Sequence, residues 1–140
     1  GMKCLNKING NTTRGLKGRG SVLHKELQYR IARIAQKKGL QALVEYEGDD
    51  IRVQCEVNNK KISGSIEIQL NPAKNLVQNA LRNTDNLDFK IFLLPNKNSL
   101  EYAKNCIQHN KSITPEMKDK TSFHLISTAL KDFPKIFTQQ

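Results

Sequence analysis

The 140-residue sequence predicts an α/β fold: a mixed central sheet of four strands flanked by helices, with a helical extension at the C-terminus. Three observations carry this expectation. Residues 49–57 and 61–70 alternate apolar and polar side chains on either side of Asn58-Asn59-Lys60, the pattern of two half-buried strands joined by a short turn. Residues 22–38 repeat apolar side chains at helical spacing instead. Residues 88–94 form a largely apolar run, expected of a strand covered on both faces.

Taken in order, residues 1–20 hold five glycines, many polar residues and few apolar ones, so a loop or loosely held basic arm is expected, with its flexible part over residues 1–15. Gly15-Leu16-Lys17-Gly18-Arg19-Gly20 lacks the Gly-Lys-Ser/Thr ending of a nucleotide-binding loop and follows no strand. Lys17 and Arg19 are better read as phosphate contacts of that arm. Ser21 can cap a helix running to about Lys38, stopped by Gly39, with Leu23, Leu27, Ile31, Ile34 and Ala35 on its inner stripe. Residues 42–46 give a short strand, and Gly48 turns the chain into the hairpin. Asn71 and Pro72 mark a helix start, with the helix running over residues 73–82. Pro95-Asn96 ends the apolar strand, and residues 99–109 follow as a helix. Thr114-Pro115-Glu116 opens a last helical stretch whose apolar side is Leu125, Ile126, Ala129 and Leu130, ending before Pro134. The core domain then spans residues 16–110 and the extension residues 111–140.

Charge is unevenly placed. Of the net +10, residues 1–40 contribute +9, from ten Lys/Arg and one acid. Residues 41–100 contribute −1, from seven and eight. A basic front joined to an acid-bearing centre suits a polyanion, most simply nucleic acid, with Lys25 and Lys74 as further candidate contacts. Three scattered cysteines without a CxxC or Cys/His cluster suggest neither a disulfide framework nor a zinc site, and a reducing cytoplasmic setting fits. No apolar run is long enough to span a bilayer, so no membrane partner is expected.

The hairpin also organises the candidate site. With a two-residue turn, facing residue numbers sum to an odd value, so Ile51, Val53 and Cys55 share a face with Ile62, Ile66 and Ile68. Strict alternation then puts Asp50 and Arg52 on the opposite face together with Glu67 and Gln69, and turns Asp49 away from them. Two carboxylates on neighbouring strands repel unless a cation lies between them. The alternative is a solvated strand face of ordinary charge pairs. His24 and Gln28, four residues apart on the first helix, are either boundary polarity or one wall of the site.

The order helix, strand, hairpin, helix, strand, with Asp50 opening the second strand and Ile66-Glu67-Ile68-Gln69 closing the third, resembles the PD-(D/E)XK, or restriction-endonuclease-like, superfamily over residues 16–110. The stretch from Gly18 to His24 with Leu27-Gln28 and Ile31, and the ending Phe89-Lys90-Ile91-Phe92-Leu93-Leu94-Pro95-Asn96, are similar to small nuclease-like domains found beside motor ATPases and mobile elements. The resemblance implies metal-dependent hydrolysis of a DNA phosphodiester. Asp50 and Glu67 would hold Mg²⁺ or Mn²⁺ with the Ile68 carbonyl, Gln69 would position water, and a homodimer or an ATPase would be the protein partner. The family usually carries Lys where this chain has Gln69, so the resemblance also implies that Gln69→Lys would raise a weak activity. The alternative reading is a catalytically inactive nuclease-fold module that binds DNA or another protein.

Overall fold

In a computed structural model, residues 21–82 and 84–133 are described, and they form a three-layer α/β arrangement. The first helix, α1 (Val22–Lys37), begins where the Ser21 side chain accepts a hydrogen bond from the His24 N–H at 3.1 Å. It ends at Gly39, whose φ of +92° closes the turn that a side chain would disfavour. Leu27, Ile31, Ala32 and Ala35 are buried, whereas Leu23 is 56% exposed. The expected apolar stripe therefore starts one turn late, because His24 takes the inward position at the start of the helix and reaches Asp50.

Strands β1 (Gln41–Tyr46), β2 (Asp49–Val57) and β3 (Lys60–Ile68) form an antiparallel meander. Asn58 and Asn59 both take positive φ, +55° and +67°, the two-residue turn that follows strand twist. The register is the expected one, with Ile51 facing Ile66 and Cys55 facing Ile62. Then come α2 (Leu76–Leu81), a 3-10 turn (Thr84–Asn86), β4 (Phe89–Leu94), α3 (Lys97–His109), α4 (Pro115–Lys120), β5 (Thr121–Leu125) and α5 (Ile126–Lys131). β4 pairs parallel to β3, and β5 pairs parallel to β4, so the sheet has the order β1-β2-β3-β4-β5.

Two expectations are corrected here. The sheet has five strands, not four, and residues 111–133 are not a purely helical extension, since β5 completes the sheet. Phe123 of β5 stacks on Phe92 of β4 with ring centroids 5.6 Å apart, contact that a helix there would forfeit. The helix after Asn71-Pro72 also starts later than expected, at Leu76. Asn71 instead caps a turn, its Oδ1 accepting from the Ala73 N–H at 3.1 Å.

The β4 run divides its side chains between two cores. Ile91 and Leu93 join Ile51, Val53 and Ile66 beneath α1 and α5. Phe92 and Leu94 pack with residues of α2, α3 and α4 on the other side. Gly64 sits beneath the Phe89 ring, where a Cβ would lie 2.2 Å from the nearest ring atom. β3 thus runs through the centre of the sheet with helices on both faces, and its C-terminal end opens between α1 and α2.

Candidate active site

A cleft of about 300 Å³ lies at that end, lined by Ser21 and His24 of α1, Asp50 of β2, Glu67 to Asn71, and Lys74, Asn75, Asn79 and Arg82 around α2. Asp50 and Glu67, two sequence-predicted site residues, therefore meet in one cavity. They reach it differently. Glu67 lies in register with Phe92, on the α2 side of the sheet. Asp50 is held from the α1 side: its Oδ2 accepts from the Ile68 N–H at 2.8 Å and lies 3.2 Å from His24 Nε2, while its Oδ1 accepts from Gln28 Nε2 at 3.2 Å.

Strict alternation fails for both aspartates. Asp50 turns to α1 rather than to the face of Glu67. Asp49, expected to point away from Arg52, accepts from Arg52 Nε at 2.9 Å and Nη2 at 2.7 Å. The cause is local. Both residues precede Ile51, the first residue of β2 paired to β3, and Asp49 is paired only to Tyr46 of β1, between Glu45 and Glu47 at positive φ, so the β2–β3 ladder does not set their directions.

The electrostatics are those of buried charge. Burial pushes the Glu67 carboxyl well above its ordinary range, the Asp50 carboxylate adds to that, and the Lys90 ammonium opposes it. Glu67 Oε2 is buried and has no hydrogen-bond donor among the described residues. Lys90 is fully buried, and burial lowers its pKa against the pull of Glu67 and Asp49. Its ammonium donates to the Asn79 carbonyl and, at 2.9 Å, to the Arg82 carbonyl, so it fastens the end of α2.

The remaining expected residues divide. His24 lines the cleft, its Nε2 3.1 Å from the Ile68 carbonyl and 3.2 Å from Asp50, whereas Gln28 is fully buried, is not among the lining residues and reaches Asp50 from the interior. Gln69 lines the cleft, but its amide is committed. Nε2 donates to the Asn71 carbonyl at 2.9 Å and to the Lys74 carbonyl, and Oε1 accepts from Asn79 Nδ2 at 3.1 Å. Lys74 lines the cleft with an exposed side chain. Lys25 pairs with Glu45 at 2.8 Å on the surface. Lys17, Arg19 and the rest of the N-terminal arm lie outside the described residues. Sequence pattern did not point to Arg82, Asn79 or Lys90. For Lys90 a signal existed, a lone cation inside an apolar strand run.

The donor set fits a hard divalent ion in part. Asp50 Oδ2 and the Ile68 carbonyl flank His24 Nε2 at 3.2 and 3.1 Å, and Glu67 Oε2 offers a buried carboxylate oxygen. Among the described residues, no three His, Cys, Asp or Glu side chains converge closely enough to hold a metal by themselves. An ion held by one or two carboxylates and a carbonyl would have to keep several waters. Comparison with protein-family models, curated proteins and solved structures finds no match. No helix among the described residues is long and apolar enough to cross a membrane.

Proposed function

We propose that this protein is a metal-dependent phosphodiester hydrolase acting on DNA, with a restriction-endonuclease-like core. The observation that carries the reading is the meeting of Asp50, Glu67 and the Ile68 carbonyl in one cleft, with a Glu67 oxygen buried and lacking a donor. Asp50, Glu67 and the Ile68 carbonyl would hold Mg²⁺ or Mn²⁺ there. When bound, the ion supplies the Lewis acidity that hydrolysis of a phosphodiester needs. His24, Gln28 and the Ile68 N–H fix the Asp50 carboxylate in place, so its geometry is set before any ligand arrives. Gln69 holds the turn over residues 71–74 against α2 and so positions the far wall. The net charge of +10 favours a polyanionic substrate. Cleavage of plasmid and single-stranded DNA with Mg²⁺ or Mn²⁺ tests the reading. The wild type should cut and Glu67→Ala should not, and equal activity of the two would refute it.

One observation favours a second reading, a DNA-binding module without chemistry. The Gln69 amide at the position of the usual lysine carries no charge and is spent on the protein. Such a module would bind DNA with the same affinity in Mn²⁺ and in a chelator, with no cleavage.

A further inference from the structure

We propose that Arg82 is the residue that grips a nucleic-acid phosphate in the cleft and serves as its anchored cation. This deepens the reading of the cleft as a phosphodiester site and rests on it for the catalytic part. A phosphate entering beside the Asp50 carboxylate meets negative charge, so a fixed positive charge next to it favours binding. Four residues could supply or replace it, and the structure separates them. Gln69 is neutral and committed to backbone carbonyls. Lys90 is fully buried, bound to α2 carbonyls and not part of the cleft lining. Lys74 lines the cleft, but its side chain is exposed and would have to be ordered on binding.

Arg82 lines the same cleft and is fixed at both ends. Its carbonyl accepts from the buried Lys90 ammonium at 2.9 Å. Its Nη1 donates to the Gly48 carbonyl at 2.6 Å, tying the end of α2 to the turn between β1 and β2. Gly48 is what lets it lie there. An added Cβ would stand 2.9 Å from Arg82 Cδ and 3.2 Å from Nε, so the stem of the side chain rests on a bare turn at φ +91°. A guanidinium has five N–H donors in a planar fork that matches two phosphate oxygens, and a fork already held in place loses little freedom on binding.

The experiment compares wild type, Arg82→Met and Arg82→Lys, all checked for folding by circular dichroism. Fluorescence anisotropy with a labelled single-stranded oligonucleotide, titrated over a range of salt, reads phosphate contact without requiring turnover. For Arg82→Met the log–log salt slope should fall by about one, with affinity reduced roughly tenfold at low salt. Arg82→Lys keeps a charge and should keep the slope. In the cleavage assay with Mn²⁺, Arg82→Met should lose on the order of a hundredfold in rate, and Arg82→Lys about tenfold because the fork is gone. An unchanged affinity and slope in Arg82→Met, while the wild type cleaves, would overturn this role and leave the hydrolase reading standing. A lower slope in Arg82→Met, with no cleavage by the wild type, would support the phosphate contact and remove the hydrolase. No oligonucleotide binding by the wild type would overturn both.

Discussion

Replacing Gln69 separates a chemical role from a structural one. Its amide makes three hydrogen bonds, to the Asn71 and Lys74 carbonyls and from Asn79 Nδ2, and the residue is 5% exposed. Gln69→Met keeps the shape of the side chain and removes all three. Asn71 and Lys74 are exposed, so water can take over their carbonyls, and the loss there is small. Asn79 is half-buried and loses its acceptor, which costs more. Together these come to about 2 kcal/mol, or on the order of 10 °C in Tm for a domain of this size. Gln69→Lys retains donors for the two carbonyls and loses only the Asn79 contact, so about 1 kcal/mol is expected. Its ammonium is then held by the carbonyls of the turn, so the cleavage rate should not rise. This reverses the expectation that the family pattern alone suggests. Urea denaturation and single-turnover cleavage of the three proteins at saturating Mn²⁺ test it. A tenfold or greater rate increase in Gln69→Lys, or a Gln69→Met variant as stable as wild type, would refute the argument.

Three further outcomes follow from packing and charge. Gly64→Ala places a methyl 2.2 Å from the Phe89 ring in a filled core, and chemical denaturation should show a loss of about 1–3 kcal/mol; no loss would mean the ring moves aside. Arg52→Met removes both hydrogen bonds to the fully buried Asp49 and the guanidinium over the Tyr46 ring, and should cost about 3 kcal/mol in the same assay; a cost below about 1 kcal/mol would contradict the buried pairing. Because the Glu67 pKa is raised on folding, the folded state holds a proton that the unfolded chain releases first. Stability due to this group therefore falls as pH rises from the unfolded value near ~4.3 to the raised folded value, by about 1.4 kcal/mol per pH unit, and is flat above it. Glu67→Gln should be more stable than wild type at neutral pH, with the difference vanishing at about pH 4; a variant less stable at all pH values would show that the ionised carboxylate is stabilising.

Much of the fold was legible because it rests on local patterns. The hairpin register follows from period-two alternation and a turn whose two asparagines accept positive φ. Thr114-Pro115 opened a helix as expected, with Thr114 Oγ1 accepting from the Met117 N–H at 3.2 Å. β5 was not legible, because Leu125, Ile126, Ala129 and Leu130 fall at helical spacing and hide the short alternation Thr121, Phe123, Leu125. Its strand character comes from pairing with β4, a tertiary effect. The site was legible as a pair of carboxylates, but not as a geometry. The directions of Asp49 and Asp50 depend on the turn at Gly48 and on partners in α1. Arg82 reaches the site through a contact with Gly48, 34 residues away in the chain, that no local pattern announces.

If Asp50 and Glu67 share one divalent ion, calorimetric titration of Mn²⁺ reads it. The wild type should bind a single ion, more tightly as pH rises, since burial raises the Glu67 pKa and ligation needs the ionised carboxylate. Glu67→Gln should bind at least tenfold more weakly and lose that pH dependence. Binding that is equally tight in Glu67→Gln, or the absence of any binding to the wild type at millimolar Mn²⁺, would contradict the claim.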